Sequence, residues 1–421
     1  MSKSNEDLQN LKGFRDFLPS EMKIRKYVLG VLKDVFTSYG YEPLKTPSLE
    51  YAETLLGKYG EETDKLVYQF TDQGNRQVAL PYDLTVPTAK ILSMYQAEIQ
   101  MPFKRYQIQR IWRAEKPQKG RYREVLQCDI DIFGIENQLA DAEIITVIYQ
   151  VFSKLDIPNF KIFINSRPAL FKMLSKLGIE QNKWSTTLQT LDKIDRKTKS
   201  EVEKELVEKG YTKSKSTKIL KEWKALSPQE NDPKLKTLET YLQALGVPKE
   251  IYEFTPTLVR GLDYYTGPIF ETKVTEPDFG SVTGGGRYDN LVEKLGGPKT
   301  PAVGTTIGLD RICDVIKKLN LLEGKVKPSV DLLLTIFNPD LLEKTINIAQ
   351  EIRSQGFSTE LFLDPNTDLR DQLAYASRKE IPYVGIIGPQ EAKEEKITLK
   401  NMQTGEQTLV STKNIGKTLE S

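Results

Sequence analysis

Two short stretches combine arginine, tyrosine and aspartate with glycine, and these residue types suit the binding of a small charged molecule. They are Leu258-Val-Arg-Gly-Leu-Asp-Tyr-Tyr-Thr-Gly267 and Gly284-Gly-Gly-Arg-Tyr-Asp289. Glycine lets the backbone approach a ligand closely. An arginine fork pairs with phosphate or carboxylate, while tyrosine and aspartate bond a polar ring. The residues therefore predict a site that holds a small zwitterion beside a phosphate chain.

The segment 110–124 predicts a strand, a loop and a second strand that present many hydrogen-bond donors. Arg113 and Glu115 alternate on one face of the first strand. The loop adds donors suited to phosphate, namely Gln118, Lys119, Arg121 and Arg123. Taken alone, a basic hairpin is more often a solvated turn, so the residues leave both interpretations open.

The returning strand, Gln127-Cys-Asp-Ile-Asp131, separates polar from apolar side chains by simple alternation. Gln127, Asp129 and Asp131 lie on one predicted face, and Cys128 and Ile130 lie on the other. Three polar groups on one side of a strand in an apolar core need a ligand or one another. A buried hydrogen-bond network is the alternative to a binding site.

Two further segments carry candidate residues on or beside helices. Leu80-Pro-Tyr-Asp-Leu-Thr85 offers Asp83 and Thr85, although Asp83 read alone would be an ordinary helix cap. Ala302-Val-Gly-Thr-Thr-Ile-Gly-Leu-Asp-Arg311 predicts a glycine-bearing strand that enters a helix. It matches neither of the common glycine-rich phosphate fingerprints. Arg311 by itself would be a helix residue in a salt bridge.

The composition excludes several classes of function. The 421 residues include no histidine, which removes histidine general bases, histidine-dependent nucleophile pairs and histidine metal ligands. Two cysteines, Cys128 and Cys313, are expected to be reduced core thiols. The net charge of +2 is too small for the whole molecule to attract nucleic acid, so any such contact requires local basic patches. No apolar run is long enough for a membrane span and no secretory signal is visible, so a cytoplasmic location is expected.

Periodicity predicts an α+β protein whose main sheet is mostly antiparallel. A helix is expected over residues 22–40, and strands over 66–71, 77–80, 103–113 and 124–133. Turns or a single helix join these strands, without regular helical crossovers. Residues 181–246 differ from the preceding part of the chain in being rich in lysine and glutamate, which predicts a helical insertion. Its basic bias fits either a nucleic-acid contact or a solvated helical face.

The last part of the chain predicts a second, smaller domain. After a boundary near 324–329, strands expected over 330–337, 358–362 and 383–387 alternate with helices over 341–355 and 369–379. This rhythm indicates a small α/β domain with a partly parallel sheet. The predicted domains are thus 1–325 and 326–421, with the helical insertion inside the first.

The motifs in this order closely resemble those of the histidyl-tRNA synthetases, a family of class II aminoacyl-tRNA synthetases. The likeness runs from Lys12-Gly-Phe-Arg-Asp-Phe-Leu-Pro19 to Ile381-Pro-Tyr-Val-Gly-Ile-Ile-Gly388. It implies a catalytic domain with a class II antiparallel sheet and a C-terminal anticodon-binding domain. The implied activity joins histidine to ATP as histidyl-adenylate and transfers it to the terminal ribose of tRNA(His), releasing pyrophosphate and AMP. A homodimer, ATP as substrate and Mg²⁺ are also implied, while the metal ligands stay unknown.

The resemblance also implies roles for individual residues. Arg260 and Arg113 would be the catalytic arginines. ATP would be bound by Arg113, Glu115, Arg121 and Arg311. Histidine would be bound by Asp83, Thr85, Gln127, Asp131, Arg260, Tyr264, Tyr265 and Tyr288. Gln118 and Arg123 would contact the acceptor end of the tRNA. The family usually has arginine where this chain has Pro81, directly before Tyr82 and Asp83.

Two other functions stay open on the sequence. A non-catalytic paralogue, such as a regulatory subunit of ATP phosphoribosyltransferase, shares the catalytic domain but typically loses the catalytic motifs and the tail. An RNA-binding module without catalysis is the second alternative, because a fold does not fix a function. The presence of Arg113, Arg260, Arg311 and residues 329–421 favours the enzyme.

Overall fold

The computed structural model describes residues 8–58, 64–117, 122–195, 197–259, 264–322, 325 and 328–419. The chain divides into two compact units, Met1–Leu322 and Glu323–Ser421. The division lies beside the boundary at 325 and 326 expected from the sequence. Within the described ranges, no helix combines the length and apolar character needed to cross a bilayer.

The first unit is built on a large, mostly antiparallel sheet. Its strands are β1 (Glu42–Pro43), β2 (Glu50–Tyr51), β3 (Gln69–Thr71), β4 (Gln77–Ala79), β5 (Phe103–Trp112), β6 (Glu124–Phe133), β7 (Phe160–Ser166), β8 (Tyr252–Phe254), β9 (Pro268–Thr275), β10 (Asp278–Arg287) and β11 (Ala302–Gly308). Eight of them form one sheet in the order β1-β5-β6-β11-β10-β9-β7-β8. The inner pairs are antiparallel and the two edge pairs are parallel. The predicted antiparallel sheet is confirmed. A separate small sheet has the order β2-β4-β3.

Helices cover this sheet and form the predicted helical stretch. They are α1 (Pro19–Ser38), α2 (Ala52–Leu55), α3 (Thr85–Met94), α4 (Gln138–Lys154), α5 (Arg167–Lys176), α6 (Trp184–Leu191), α7 (Lys199–Glu208), α8 (Lys213–Lys224), α9 (Pro228–Asn231), α10 (Lys234–Ala244) and α11 (Leu309–Leu319). Short 3₁₀ turns span Gln181–Lys183, Asp192–Asp195, Lys249–Ile251 and Glu293–Leu295. Helix α1 begins three residues before the predicted start, since proline is favoured in the first turn of a helix. The positive φ of Gly40 follows its end.

Two apolar clusters lie in the first unit. One contains the buried faces of α1, α4 and α11, together with Leu235, Leu238 and Leu242 of α10. The other contains the apolar residues of the insertion helices, which are Leu188, Leu191, Val202, Leu206, Ile219, Leu220 and Trp223. Helices α6 to α8 therefore share a core with α5, whereas α10, within the same predicted stretch, packs against α4.

The lysines of the insertion are partly neutralised on its own surface. Lys193 and Lys197 lie 2.6 and 2.8 Å from the carboxylate of Glu205, and Lys209 lies 3.7 Å away. Burial opposes ionisation of Glu205, but the hydrogen bonds from Lys193 and Lys197 bring its pKa down to about 2. These lysines of the basic segment therefore form ion pairs on the surface of the helical insertion.

The two cysteines lie in the core of the first unit. Cys128 and Cys313 are both free and buried. Burial raises the pKa of the Cys313 thiol to about 12, and it raises the pKa of Cys128 well above its usual range. Both side chains are protonated, weakly reactive thiols at neutral pH, as the sequence predicted.

The second unit has a sheet of its own. Its strands are β12 (Leu332–Leu334), β13 (Thr359–Leu361), β14 (Tyr383–Ile386), β15 (Lys396–Asn401) and β16 (Gln407–Ser411), in the order β13-β12-β14-β15-β16. The helices are α12 (Leu342–Ser354), α13 (Leu369–Arg378), α14 (Pro389–Glu394) and α15 (Ile415–Leu419), with 3₁₀ turns at Pro339–Leu341 and Thr412–Asn414. The first three strands in this order are parallel and the last two pairs are antiparallel, so the partly parallel sheet is confirmed.

The arginine of the second glycine-bearing stretch has a structural partner. Arg287 ends β10 and is almost fully buried, with its Nη2 donating to Asp141 Oδ2 on α4 at 2.7 Å. Its Nη1 donates to the carbonyl of Ile135 at 2.8 Å and to Asp289 at 3.2 Å. Burial raises the pKa of Asp141 to about 6, and the facing Arg287 counteracts part of that rise. Arg287 thus anchors the segment that carries Tyr288.

We expect Arg287→Ala to destabilise the first unit by roughly 3–5 kcal/mol, because it leaves the buried Asp141 carboxylate without its cation. Urea unfolding followed by tryptophan fluorescence measures this effect, since every tryptophan lies in the first unit: Trp112, Trp184 and Trp223. Arg110→Ala is the matched control, because Arg110 is 61% exposed and pairs with Glu124 at the surface. It should change stability by less than about 0.5 kcal/mol. Equal losses in the two variants would contradict the anchoring role.

Candidate functional site

The hairpin of β5 and β6 carries the first group of site residues. Strand β5 ends at Trp112, one residue before the predicted end, because the chain exchanges partners there. The Trp112 N–H donates to the carbonyl of Pro81 at 2.9 Å, and the Ala114 N–H donates to Leu66 at 2.8 Å. Arg113 and Glu115 therefore follow the strand rather than lying on it. The Arg113 N–H still donates to the Arg123 carbonyl at 2.8 Å, which keeps the hairpin closed.

Four of the predicted residues meet at one open cleft of about 670 Å³. Arg113, Glu115, Gln127 and Arg311 line it. The ring of Tyr82 holds two of them in place. The guanidinium carbon of Arg113 lies 4.6 Å from the centre of that ring, and the Tyr82 hydroxyl donates to Glu115 at 3.0 Å. Arg311, in the first turn of α11, donates to the carbonyl of Ser281 on β10.

Of the other residues predicted for ATP, histidine or tRNA contact, Arg260, Arg121 and Gln118 lie outside the described residues. Arg123 is described, and its Nε donates to the Glu115 carbonyl at 3.0 Å. Its Nη1 donates to the carbonyl of Lys12 at 3.4 Å. Arg123 therefore connects the hairpin to the N-terminal segment.

The N-terminal segment stabilises the rim of the cleft. Asp310 Oδ1 is 2.8 Å from Arg15 Nη2 and 2.6 Å from Arg25 Nη1. The guanidinium of Arg15 also lies over the ring of Tyr122, 3.2 Å from its centre. Tyr122 and Asp310 both line the cleft. Two arginines thus balance a carboxylate that stands directly before Arg311. Sequence reasoning missed this role, because the partners are 295 and 285 residues apart.

A smaller, buried pocket of about 50 Å³ adjoins the cleft. The predicted residues that line it are Asp83, Thr85, Gln127, Asp131, Tyr264, Tyr265 and Tyr288. The pocket and the cleft share Arg113, Gln127, Gly284 and Thr306 as lining residues. A molecule in the pocket would therefore be adjacent to one in the cleft, with Arg113 and Gln127 at the boundary.

Aromatic rings and Asp83 form one wall of the pocket. The ring of Tyr264 lies 4.9 Å from that of Tyr265 and 5.7 Å from that of Tyr288, measured between ring centres. The Tyr264 hydroxyl donates to Asp83 Oδ2 at 3.3 Å, while Asp83 Oδ1 accepts from the Val86 N–H at 3.1 Å. Asp83 therefore supports the start of helix α3 and also faces the pocket.

Asp131 is held from two sides at the pocket floor. The hydroxyl of Tyr288 donates to its Oδ1. Arg105 Nη2, which is fully buried on β5, lies 2.6 Å from its Oδ2. Burial raises the pKa of Asp131, and Arg105 and Tyr288 counteract the rise. The sequence did not identify Arg105, because one charged residue in a long strand gives no sign of facing a buried carboxylate.

Gln127 and Asp129 share the same strand face and contact Thr306 on β11. Gln127 Nε2 donates to Thr306 Oγ1 at 2.8 Å, and Thr306, directly opposite Asp129 in the sheet, lowers the pKa of the Asp129 carboxyl. Gln127 Oε1 and Asp129 Oδ1 are buried and have no hydrogen-bond partner within the part of the chain that the structure describes. Burial raises the pKa of Asp129 to about 7; Arg105 opposes the rise, and Asp131 adds to it. The alternation on β6 predicted that Asp129 shares this face.

Comparisons with known proteins agree on one family over both units. The family model described as histidyl-tRNA synthetase matches residues 13–312, and the anticodon-binding domain model matches residues 331–421. A histidine–tRNA ligase of Cytophaga hutchinsonii is 37% identical, covering 95% of this chain and 96% of the relative. One of Phocaeicola vulgatus is 38% identical with the same coverage. The crystal structure of a histidyl-tRNA synthetase from Nostoc is 27% identical, with a TM-score of 0.83 over 98% of this chain and 99% of that one.

We expect Gly304→Ala to disrupt the pocket floor. Gly304 on β11 faces Asp131, and a Cβ there would lie 1.7 Å from Asp131 Oδ1. The carboxylate would have to leave Arg105 and Tyr288, at a cost of roughly 3–5 kcal/mol for breaking a buried ion pair. Gly30→Ala on α1 is the control, because nothing lies within 4 Å of its added Cβ. It should be neutral or stabilising by up to about 1 kcal/mol. Urea midpoints from tryptophan fluorescence compare the two, and a neutral Gly304→Ala would refute the fit.

Proposed function

The chain belongs to the histidyl-tRNA synthetase family, and we propose that its pocket binds histidine while the adjoining cleft binds ATP. The enzyme is an aminoacyl-tRNA ligase that activates histidine with ATP and transfers it to tRNA(His). The observation that carries the assignment is that pocket and cleft share Arg113, Gln127, Gly284 and Thr306. A carboxylate at the mouth of the pocket would therefore be next to a phosphate in the cleft.

The polar and aromatic lining of the pocket suits histidine. In this proposal Asp83, Thr85 and Gln127 bind the α-ammonium group, and Arg260 binds the carboxylate. The ring lies among Tyr264, Tyr265 and Tyr288, with Asp131 as the acidic group on the imidazole side. Apolar side chains of similar size are rejected, because they would leave these buried polar groups unpaired.

The cleft supplies positive charge for the triphosphate. Arg113 is the proposed contact of the α-phosphate and Arg311 that of the γ-phosphate, with Arg121 and Glu115 completing the ATP site. The contact of Arg113 with Tyr82 supports this role, because it fixes the guanidinium at the boundary with the pocket. The ion pairs of Asp310 with Arg15 and Arg25 reduce the repulsion that its carboxylate would exert on phosphate beside Arg311.

The chemistry requires position and charge but no general base. The histidine carboxylate is already ionised at neutral pH and attacks the α-phosphorus. A new oxygen–phosphorus bond forms, and the bond from the α-phosphorus to the bridging oxygen breaks to release pyrophosphate. Arg113 and Arg260 neutralise the charge that develops on the α-phosphate. In the second step a terminal ribose hydroxyl of tRNA attacks the acyl carbon, a phosphate oxygen of the adenylate accepts its proton, and AMP leaves. A chain without histidine can perform both steps.

The lining of the cleft fits Mg²⁺ held together with the nucleotide. Glu271 and Asp278 line the cleft, and carboxylate oxygen is a donor that Mg²⁺ accepts. The described residues contain no cluster of three or more histidine, cysteine or acidic side chains that could hold a metal ion alone. This agrees with the usual binding of Mg²⁺ through one or two carboxylates and the substrate phosphates. When bound, the ion supplies further neutralisation of the triphosphate.

The hairpin loop and the second unit are the proposed contacts of the tRNA. In this proposal Gln118 and Arg123, in the sequence between β5 and β6, contact the acceptor end of the tRNA. The match of residues 331–421 to an anticodon-binding domain supports recognition of the anticodon by the second unit. Because the attachment of histidine to tRNA uses tRNA and ATP, we propose that the enzyme is located in the cytoplasm.

We also propose a homodimer. Tyr51 and Phe70 flank Val78 in register on one face of the small sheet. Their side chains are 52% and 48% exposed, and neighbouring Leu49 is 42% exposed. A second copy of the chain covering this apolar row would remove it from water.

Pyrophosphate exchange tests the enzymatic function. The wild type should exchange labelled pyrophosphate into ATP only when histidine is present. Arg260→Ala and Arg113→Ala should each lose at least about 100-fold in rate, the effect of one missing preorganised donor in the transition state. Arg110→Ala is the control, since the exposed Arg110 lies outside the cleft lining and should keep wild-type exchange.

The same assay separates the alternatives. A regulatory paralogue or an RNA-binding module would give no histidine-dependent exchange with any variant. Near-normal exchange by Arg260→Ala or Arg113→Ala would instead remove that arginine from its proposed role, while leaving the enzyme assignment in place.

Light scattering coupled to size exclusion tests the dimer. The wild type should have twice the 48.0 kDa mass of one chain. Tyr51→Glu should shift the mass toward a single chain, because it would bury a charge within the apolar row. Leu409→Glu in the second unit is the control at similar exposure, 51%, and should leave the mass unchanged. A monomeric wild type, or a dimer that survives Tyr51→Glu, would reject this interface.

A further inference from the structure

The pocket contains a carboxylate that the roles assigned above do not use. We infer that Asp129 is a further histidine-binding residue, whose Oδ1 receives the α-ammonium group together with Oε1 of Gln127. The inference rests on the proposed binding of histidine in this pocket. It adds to that site a residue that the resemblance to the family does not assign.

The first argument is the unused hydrogen-bonding capacity of the two side chains. Asp129 is 3% exposed and Gln127 is 6% exposed. Asp129 Oδ1 and Gln127 Oε1 have no partner among the described residues, although both side chains line the pocket. A buried acceptor without a donor is unfavourable, because it has lost its hydrogen bonds to water. A ligand that supplies donors would replace those bonds.

The second argument is that Thr306 fixes the direction of the Gln127 amide. Thr306 lies directly opposite Asp129 in the sheet, and its hydroxyl lowers the pKa of the Asp129 carboxyl. When Asp129 is ionised it can only accept, so the single hydroxyl proton of Thr306 is directed to it. Thr306 Oγ1 is then an acceptor, and it takes the proton of Gln127 Nε2 at 2.8 Å. The amide oxygen of Gln127 is left for the ligand. Thr306 is thus a positioning residue.

The third argument is charge. Within the described ranges, five carboxyl and guanidinium groups line the pocket or pair with its lining. They are Asp83, Asp129, Asp131, Arg105 and Arg113. With all of them ionised, the carboxylates outnumber the guanidinium groups by one. The α-ammonium of histidine supplies the missing cation, while the ligand's own carboxylate is balanced by Arg260 in the proposed function.

The ammonium group fits these acceptors better than the ring does. It has three charged N–H donors, while a neutral imidazole has one. Asp131 Oδ1 already accepts from Tyr288, and Asp131 Oδ2, although it accepts no hydrogen bond from a described residue, is paired in charge with Arg105 Nη2 at 2.6 Å. The free oxygen of Asp129 therefore receives the ammonium group, with Asp131 remaining on the imidazole side.

A binding cycle between ligand and protein tests the inference. The ligands are histidine and 3-(imidazol-4-yl)propanoate, which keeps the ring and the carboxylate but lacks the amine. Their affinities are measured by calorimetry at about pH 8, above the Asp129 pKa of about 7, for the wild type and for Asp129→Asn. The affinity for histidine divided by the affinity for the analogue without the amine is called the amine factor. Asp129→Asn should reduce the amine factor at least about tenfold, as expected for the loss of a hydrogen bond between charged groups.

The alternatives give different results. An unchanged amine factor in Asp129→Asn would overturn the inference, even if both ligands bind more weakly, because that would indicate a ring contact or a general structural role. A wild type without histidine binding or histidine-dependent exchange would overturn the proposed function itself, which is a distinguishable failure. Urea unfolding checks that the variant is folded.

Thr306 provides a second test that does not alter the carboxylate. Thr306→Val removes the hydroxyl that orients Gln127 and should also lower the amine factor, by at least about threefold for one neutral hydrogen bond. Thr306→Ser keeps the hydroxyl and should restore the factor. Equal amine factors in the valine and serine variants would exclude the positioning role and, with it, the two-acceptor arrangement.

A pH profile supplies a further readout. Bound ammonium favours ionised Asp129, so the amine factor of the wild type should rise as the pH increases through about 7. Asp129→Asn should lack this rise. The other charged or titratable groups around Asp129 are Asp83, Asp131, Arg105, Tyr264 and Tyr288, and the variant retains all of them. A rise that persists in Asp129→Asn would belong to one of them and count against the inference.

Discussion

The site depends on a buried ion pair within the main sheet, between Arg105 on β5 and Asp131 on the neighbouring strand β6. Both groups are almost completely removed from water, so each would be costly without the other. Their pairing fixes the floor of the pocket. The hydroxyl of Tyr288, the residue that follows β10, donates to the same carboxylate. Gly304 makes this possible, because any side chain there would occupy the space of Asp131. The other polar groups of the pocket are arranged around this fixed charge.

Much of the fold follows from local patterns in the sequence. The alternation of Gln127 to Asp131 predicted which side chains face the pocket, because a strand places successive residues on opposite faces whatever its neighbours are. The apolar periodicity of α1 and the alternation of strands and helices after residue 328 were informative for the same reason. The resemblance to a family then gathered Arg113, Gln127 and Arg311 into one expected site, and all of them line the cleft.

The parts that escaped prediction are those that depend on distant partners. Arg287 stands in a motif rich in ligand-binding residue types, yet its partner is the buried Asp141, 146 residues away. Arg15 and Arg105 show the same limitation, since an isolated arginine gives no sign of the carboxylate that it will meet. Arg113 was expected on a strand but follows it, because backbone groups of Pro81 and Leu66 take over its neighbours' hydrogen bonds. Such exchanges are decided by tertiary structure rather than by local propensity.

The pairing of the N-terminal segment with helix α11 has a consequence for the order of synthesis. A ribosome produces Arg15 early, but Asp310 only 295 residues later. Until that helix has emerged, a nascent chain lacks both Arg311 and the partner of Arg15 at the cleft rim. Incomplete chains therefore cannot assemble the complete cleft. Arg15, although made early, can pair with Asp310 only when most of the polypeptide has left the exit tunnel.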